Sequence, residues 1–186
     1  MPNSQPIVIR IKKGTDGRTA LSCTRADGTT TWQRQEGAQA AFFPKHDLTH
    51  YAVETALGQR DGFYGLISAG WNFSDFGSPW PRGRLPLEAN ISEMIVGVLD
   101  MERRMGERGS VDELNQKLAE YSVENGLPRG RQLTEEDLAR VRVKRAELFA
   151  KWDAVRPGEA LEIPFEVELA NLSDEPAPSL PRNGAA

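Results

Sequence analysis

The stretch Ile7-Val8-Ile9-Arg10-Ile11-Lys12-Lys13 decides the fold class. Ile7, Ile9 and Ile11 alternate with Val8, Arg10 and Lys12, the period of two expected of a half-buried strand, whose successive side chains leave opposite faces. Thr15-Asp16-Gly17 offers a turn, and the runs 19–26 and 29–34 flank Asp27-Gly28, a pair suited to the positive φ of a tight hairpin. The N-terminal third therefore reads as a three-stranded antiparallel meander. Near the other end, after Pro157-Gly158, Leu161, Ile163, Phe165, Val167 and Leu169 face one way and Glu162, Glu166 and Glu168 the other. Pro164 has no N–H for a ladder, which puts this strand at a sheet edge, its glutamates set to face Arg10 and Lys12. The expected fold is α+β: one small antiparallel sheet made from both ends of the chain, with about five helices inserted between them.

Helical periodicity predicts segments from Pro44 to Leu57, Gly62 to Ala69 and Leu87 to Met105. Ser110 with Glu113 three residues on is a capping box that opens a fourth helix, closed at Gly126 and burying Val111, Leu114, Leu118 and Tyr121. Thr134 with Asp137 opens a fifth, which turns Leu138, Val141, Leu148, Trp152 and Val155 inward. Residues 1–172 are expected to form a single α+β domain. The Pro-rich 173–186 are too poor in apolar residues to pack and are expected to be a disordered tail.

Composition narrows the function classes. A chain of 186 residues with 39% hydrophobic content can build its core without a disulfide or structural metal. A net charge of -4 and scattered basic residues leave no footprint for a phosphate backbone, so nucleic acid is not an expected partner. Cys23 is the one cysteine and sits in a strand pattern, which makes it a buried structural thiol and excludes CxxC chemistry. No apolar run approaches the ~20 residues needed to span a bilayer, and the N-terminus lacks the apolar core of a signal peptide. No membrane partner and a cytoplasmic location are expected.

The chemically pointed segment is Pro44-Lys45-His46-Asp47-Leu48-Thr49-His50-Tyr51-Ala52-Val53-Glu54. On a helix, His46, Asp47, His50 and Glu54 fall within an arc of roughly 100°, while most of the remaining circumference is apolar. The stripe can be the solvated face of an amphipathic helix. Against that stands its composition, since it holds both histidines of the chain, at i and i+4, the spacing at which two imidazoles reach one metal ion. With Pro44 in the first turn, the positive end of the helix dipole would keep His46 neutral and ready to coordinate. Glu54 lies about 12 Å along the axis from His46, so it either ligates the ion or orients His50. Asp47 is the candidate proton carrier, as the neighbouring carboxylate is in HExxH sites. Glu93 and Asp100, seven apart on the helix 87–105, are the other carboxylates able to complete the ligand set.

Three known patterns share parts of this segment. HExxH zinc proteases share its histidine spacing, and HD-type phosphohydrolases share His46-Asp47. His46, Asp47 and His50 also resemble the HDxxH motif of the ubiquinone-biosynthesis family, which holds zinc through HDxxH and a later glutamate. The position of that glutamate falls here at Gly62, with Asp61 one residue before. The resemblance implies a divalent metal, zinc first, with iron, manganese or nickel suited to the same ligands. The resulting expectation is a small metal-dependent enzyme of hydrolase or lyase type, acting on a small-molecule substrate. Its rival is a non-enzymatic binding or assembly protein that uses the aromatic loop 71–81, with Trp71, Phe73, Phe76 and Trp80, as its contact surface, in a homodimer or with another partner.

Overall fold

The computed structural model describes residues 6–166 except 129 and 131. Strands β1 (Ile7–Lys13), β2 (Thr19–Arg25) and β3 (Thr30–Gln35) form the meander, and β4 (Ala160–Phe165) adds to the free side of β1, giving the antiparallel order β3-β2-β1-β4. Pro164 lies on the edge strand opposite Val8, and Arg10 faces Glu162 with a 2.8 Å ion pair, both as the alternation predicts. Lys12 faces Ala160 rather than a glutamate. The hairpin between β2 and β3 turns at Gly28, whose φ of 83° needs a residue without Cβ. Val167, Leu169 and the tail 173–186 lie outside the described residues.

Five helices fill the interval: α1 (Gly37–Leu57), α2 (Phe63–Ser68), α3 (Leu87–Met105), α4 (Val111–Glu124) and α5 (Glu135–Ala154). Both expected capping boxes are present, at Ser110/Glu113 and Thr134/Asp137. No described helix is long and apolar enough to cross a membrane. One boundary departs from the sequence reading. Helix α1 begins at Gly37, and Pro44 sits inside it. The preceding Gln39, Ala40 and Ala41 are good helix formers, so the helix runs through the lost Pro44 N–H, a defect that normally costs ~3 kcal/mol, with the ring buried.

Helix α1 is the element on which two apolar clusters converge. Leu48 and Ala52 meet the inner face of the sheet, Tyr64 and Ile67 of α2, and Leu148 and Trp152 of α5. Val53 instead packs with Ile95, Val96 and Leu99 of α3 and with residues of α4 and the first half of α5. The sheet contributes Ile7, Ile9, Ile11, Leu21, Cys23, Ile163 and Phe165, all on its inner face and all buried. Burial also pushes the Cys23 thiol well above its ordinary pKa, as a structural cysteine requires.

Closure of the sheet by β4 rests on Phe165, whose ring packs with Tyr51 and Tyr64. Phe165→Ala should cost ~3–5 kcal/mol of unfolding free energy in a denaturant titration. Glu162→Ala, which removes only the exposed Arg10 pair, should cost under ~1 kcal/mol.

Candidate metal centre

Phe42, His46 and His50 are spaced i, i+4, i+8 on α1, and Glu93, Gly97 and Asp100 are spaced i, i+4, i+7 on α3, so each set lies on one helix face. The helices run antiparallel where these faces meet, with His46 beside Asp100 and His50 beside Glu93. The ligand atoms of His46, His50 and Glu93 all lie within 4.8 Å of one another, close enough for one ion. The imidazole centroids are 4.9 Å apart.

Each imidazole has a carboxylate on its Nδ1 side. The Oδ2 of Asp100 is 2.8 Å from His46 Nδ1, while Arg103 donates to Asp100 Oδ1 at 3.1 and 3.3 Å. His46 Nε2 is therefore the nitrogen left for an ion. Glu54 Oε1 lies 3.6 Å from His50 Nδ1, and His50 Nε2 is 3.4 Å from Glu93 Oε1. Glu54 is itself held in place, because the backbone N–H groups of Tyr64 and Gly65 at the start of α2 donate to its Oε2 at 3.0 and 3.2 Å. A Cβ at Gly62 would stand 2.5 Å from Glu54 Cδ, so the glycine makes room for this carboxylate.

Burial sets the electrostatics. His50 is 1% exposed, and desolvation depresses its pKa to about 4, leaving a neutral imidazole whose Nδ1 makes no hydrogen bond. His46 goes the other way. Burial disfavours its charged form, but the Asp100 hydrogen bond and the charges of Asp47, Asp100 and Glu93 outweigh that and raise its pKa. The expectation that a helix N-terminus holds His46 neutral is thus corrected, because Gly37, not Pro44, begins the helix and Asp100 stands beside the ring. Desolvation raises Asp47 to about 7 and Glu54 to about 8. Asp100 is also desolvated, yet its contacts with His46 and Arg103 hold its pKa below the usual range.

Aromatic rings enclose the pair. Phe42 stacks on His46 at 5.3 Å, Phe43 meets it edge-on at 5.6 Å, and Phe63 covers His50 at 5.1 Å. Phe63 in turn packs against Phe73 and Phe76, so the aromatic loop reaches the site through one intervening ring. Arg25 fastens the loop to the sheet by donating to the carbonyl oxygens of Ile67 and Trp71 and to Asn72 Oδ1.

The sequence candidates therefore separate by position. His46, His50 and Glu93 come together as a candidate ligand set. Asp100 and Glu54 stand behind the two imidazoles. Asp47 is only 4% exposed, and its charge is felt by Cys23 and Tyr64 as well as by His46, which places it on the core side of α1. Sequence reasoning passed over Arg103 and Gly97, the second of which had a legible signal as a glycine in mid-helix. Comparison with protein-family models, curated proteins and solved structures returned no match.

The pKa shifts predict how the metal-free protein responds to pH. Asp47 and Glu54 have folded pKa values above their unfolded ones, so their contribution is full in acid and is lost as pH rises through about 7 and about 8. His50, whose pKa is lowered to about 4, acts oppositely, but its effect is complete once pH exceeds the ordinary histidine value. Unfolding free energy of the metal-free protein should therefore fall from about pH 6.5, where the opposing His50 effect is complete, through about pH 8, above which both carboxyls are ionised in the folded and unfolded states alike. Asp47→Asn should flatten the part of that slope below about pH 7 and leave the part up to about pH 8 to Glu54, and an unchanged slope below about pH 7 in this variant would remove Asp47 as its source.

Proposed function

We propose that this chain is a small metal-dependent enzyme, of hydrolase or lyase type, holding one divalent cation between α1 and α3. The observation that carries this reading is the convergence of His46, His50 and Glu93 within 4.8 Å, each imidazole having a carboxylate on its Nδ1 side. Imidazoles that coordinate a metal characteristically present their other nitrogen to a carboxylate or carbonyl, which fixes the tautomer and strengthens the ligand. His46 Nε2, His50 Nε2 and a Glu93 oxygen would bind the ion, with Asp100 and Glu54 positioning the rings. A divalent charge would also offset the carboxylates of Glu93 and Asp100, the second of which is paired with Arg103.

Three protein ligands would leave a coordination position for substrate or water, and an ion held by them would supply Lewis acidity there. Zinc suits two imidazoles and a carboxylate, and iron, manganese or nickel suit them as well. Asp47 is assigned proton transfer, for which a carboxyl whose pKa burial raises to about 7 is suited, although it lies on the core side of α1 and adjoins His46 only through the chain. The substrate is a small molecule. The rival reading, a contact surface on the aromatic loop, draws less support, because Phe73 and Phe76 pack on Phe63 and the exposed ring of the loop is Trp80.

Isothermal titration of chelator-treated protein with zinc should give one site. His46→Ala or His50→Ala should abolish it with the fold retained, and Asp100→Asn should weaken it about 10- to 100-fold. Asp47→Asn should keep the metal and lower turnover. Wild-type protein that takes up no zinc, iron, manganese or nickel would overturn the proposal.

A further inference from the structure

Gly97 is in the middle of α3, where glycine costs ~0.5–1 kcal/mol relative to alanine. Packing does not demand it: a Cβ built there would meet nothing within 4 Å, and its φ is not in the left-handed region. Position 97 falls between Glu93 and Asp100 on the stripe that faces the two histidines. The missing side chain leaves open space in the cleft wall that His46 also lines. That space is part of an open cleft of about 540 Å³, bounded by Phe42, His46, Gly97, Asp100, Met101, Arg104 and Met105.

The walls define what fits. Met101 and Met105 are 54% and 65% exposed, and with Phe42 they line one side with apolar and adaptable surface. Arg104 extends the Glu93–Gly97–Asp100 stripe by one more turn, and it has no ion-pair partner among the described residues. It stands seven residues from Gly97, about 10 Å along the helix axis. The neighbouring Arg103, over the Phe42 ring, is already paired with Asp100, so Arg104 supplies one free cation to the cleft and matches a single negative charge, a carboxylate rather than a phosphate dianion.

We infer that this cleft is the substrate channel of the site and takes an elongated molecule with an apolar body and a terminal carboxylate. The reacting group lies at the ion beside Gly97, the body runs over Met101 and Phe42, and the carboxylate ends at Arg104. This assignment rests on the metal reading above, and its test separates the two.

The test uses cobalt-loaded full-length protein and two hydroxamates of equal chain length, which bind the metal through the same head. One is octanohydroxamate, with a methyl end. The other is suberic monohydroxamate, with a carboxylate end, and the visible cobalt spectrum reports binding of each. The carboxylate-ended probe should bind about threefold to fivefold tighter, and Arg104→Ala should erase that advantage while leaving the methyl-ended probe unaffected. Gly97→Leu should weaken both probes about tenfold or more by filling the cleft, with cobalt content unchanged and melting temperature equal or higher. Failure of the wild-type protein to bind cobalt would defeat the metal reading itself. A cobalt-loaded protein that binds both probes equally, or prefers a phosphonate-ended analogue, or is indifferent to Gly97→Leu, would overturn the channel assignment.

Discussion

Everything near the site follows from one constraint: α1 is buried along both flanks and still carries His46, Asp47, His50 and Glu54. Asp47, His50 and Glu54 are each under 5% exposed, and a buried polar group is costly unless partners surround it. The partners come from three directions. Asp100 and Glu93 of α3 meet the imidazoles, the first amides of α2 receive Glu54, and the core side of the helix accommodates Asp47 near Cys23 and Tyr64. Because those partners are fixed by the packing of α2 and α3 against α1, the cluster is a property of the fold rather than of one motif. The exception is His50 Nδ1, which is buried without a hydrogen bond and stands 3.6 Å from Glu54. That spacing tightens into a normal hydrogen bond with little movement if His50 Nε2 engages an ion.

The sheet was readable because its signals are local. Alternation in 7–12 and 161–165 set the buried face, Asp27-Gly28 set a hairpin, and Pro164 set the edge, none of which depends on distant residues. The caps at Ser110 and Thr134 were readable for the same reason. The start of α1 was not, because Pro44 looks like a helix opener and the cost of placing it inside a helix is offset only by tertiary burial. That single boundary also carried the reasoning about His46, since moving the helix start back to Gly37 takes the ring away from the dipole and leaves Asp100 to set its charge.

The site itself was half legible. Histidines at i and i+4 on one stripe can be seen in one dimension, and so can the shared face of Glu93 and Asp100. Which carboxylate meets which imidazole depends on the antiparallel crossing of α1 and α3, a relation between segments more than 40 residues apart that no local pattern encodes. The crossing divides the work by depth. Glu93 remains about half exposed and can move onto an ion, whereas Asp100 and Glu54 are locked by Arg103 and by backbone amides and can only orient. Gly97 belongs to the same crossing, since it lines one cleft together with His46 and Asp100.

The most direct test of the account is X-ray absorption at the zinc edge on protein reconstituted with one equivalent of zinc. The account predicts two imidazole nitrogens at about 2.0 Å with oxygen donors completing the shell, and loss of one imidazole from the spectrum in His50→Ala. A shell of oxygens alone, or zinc that washes away on desalting, would contradict it.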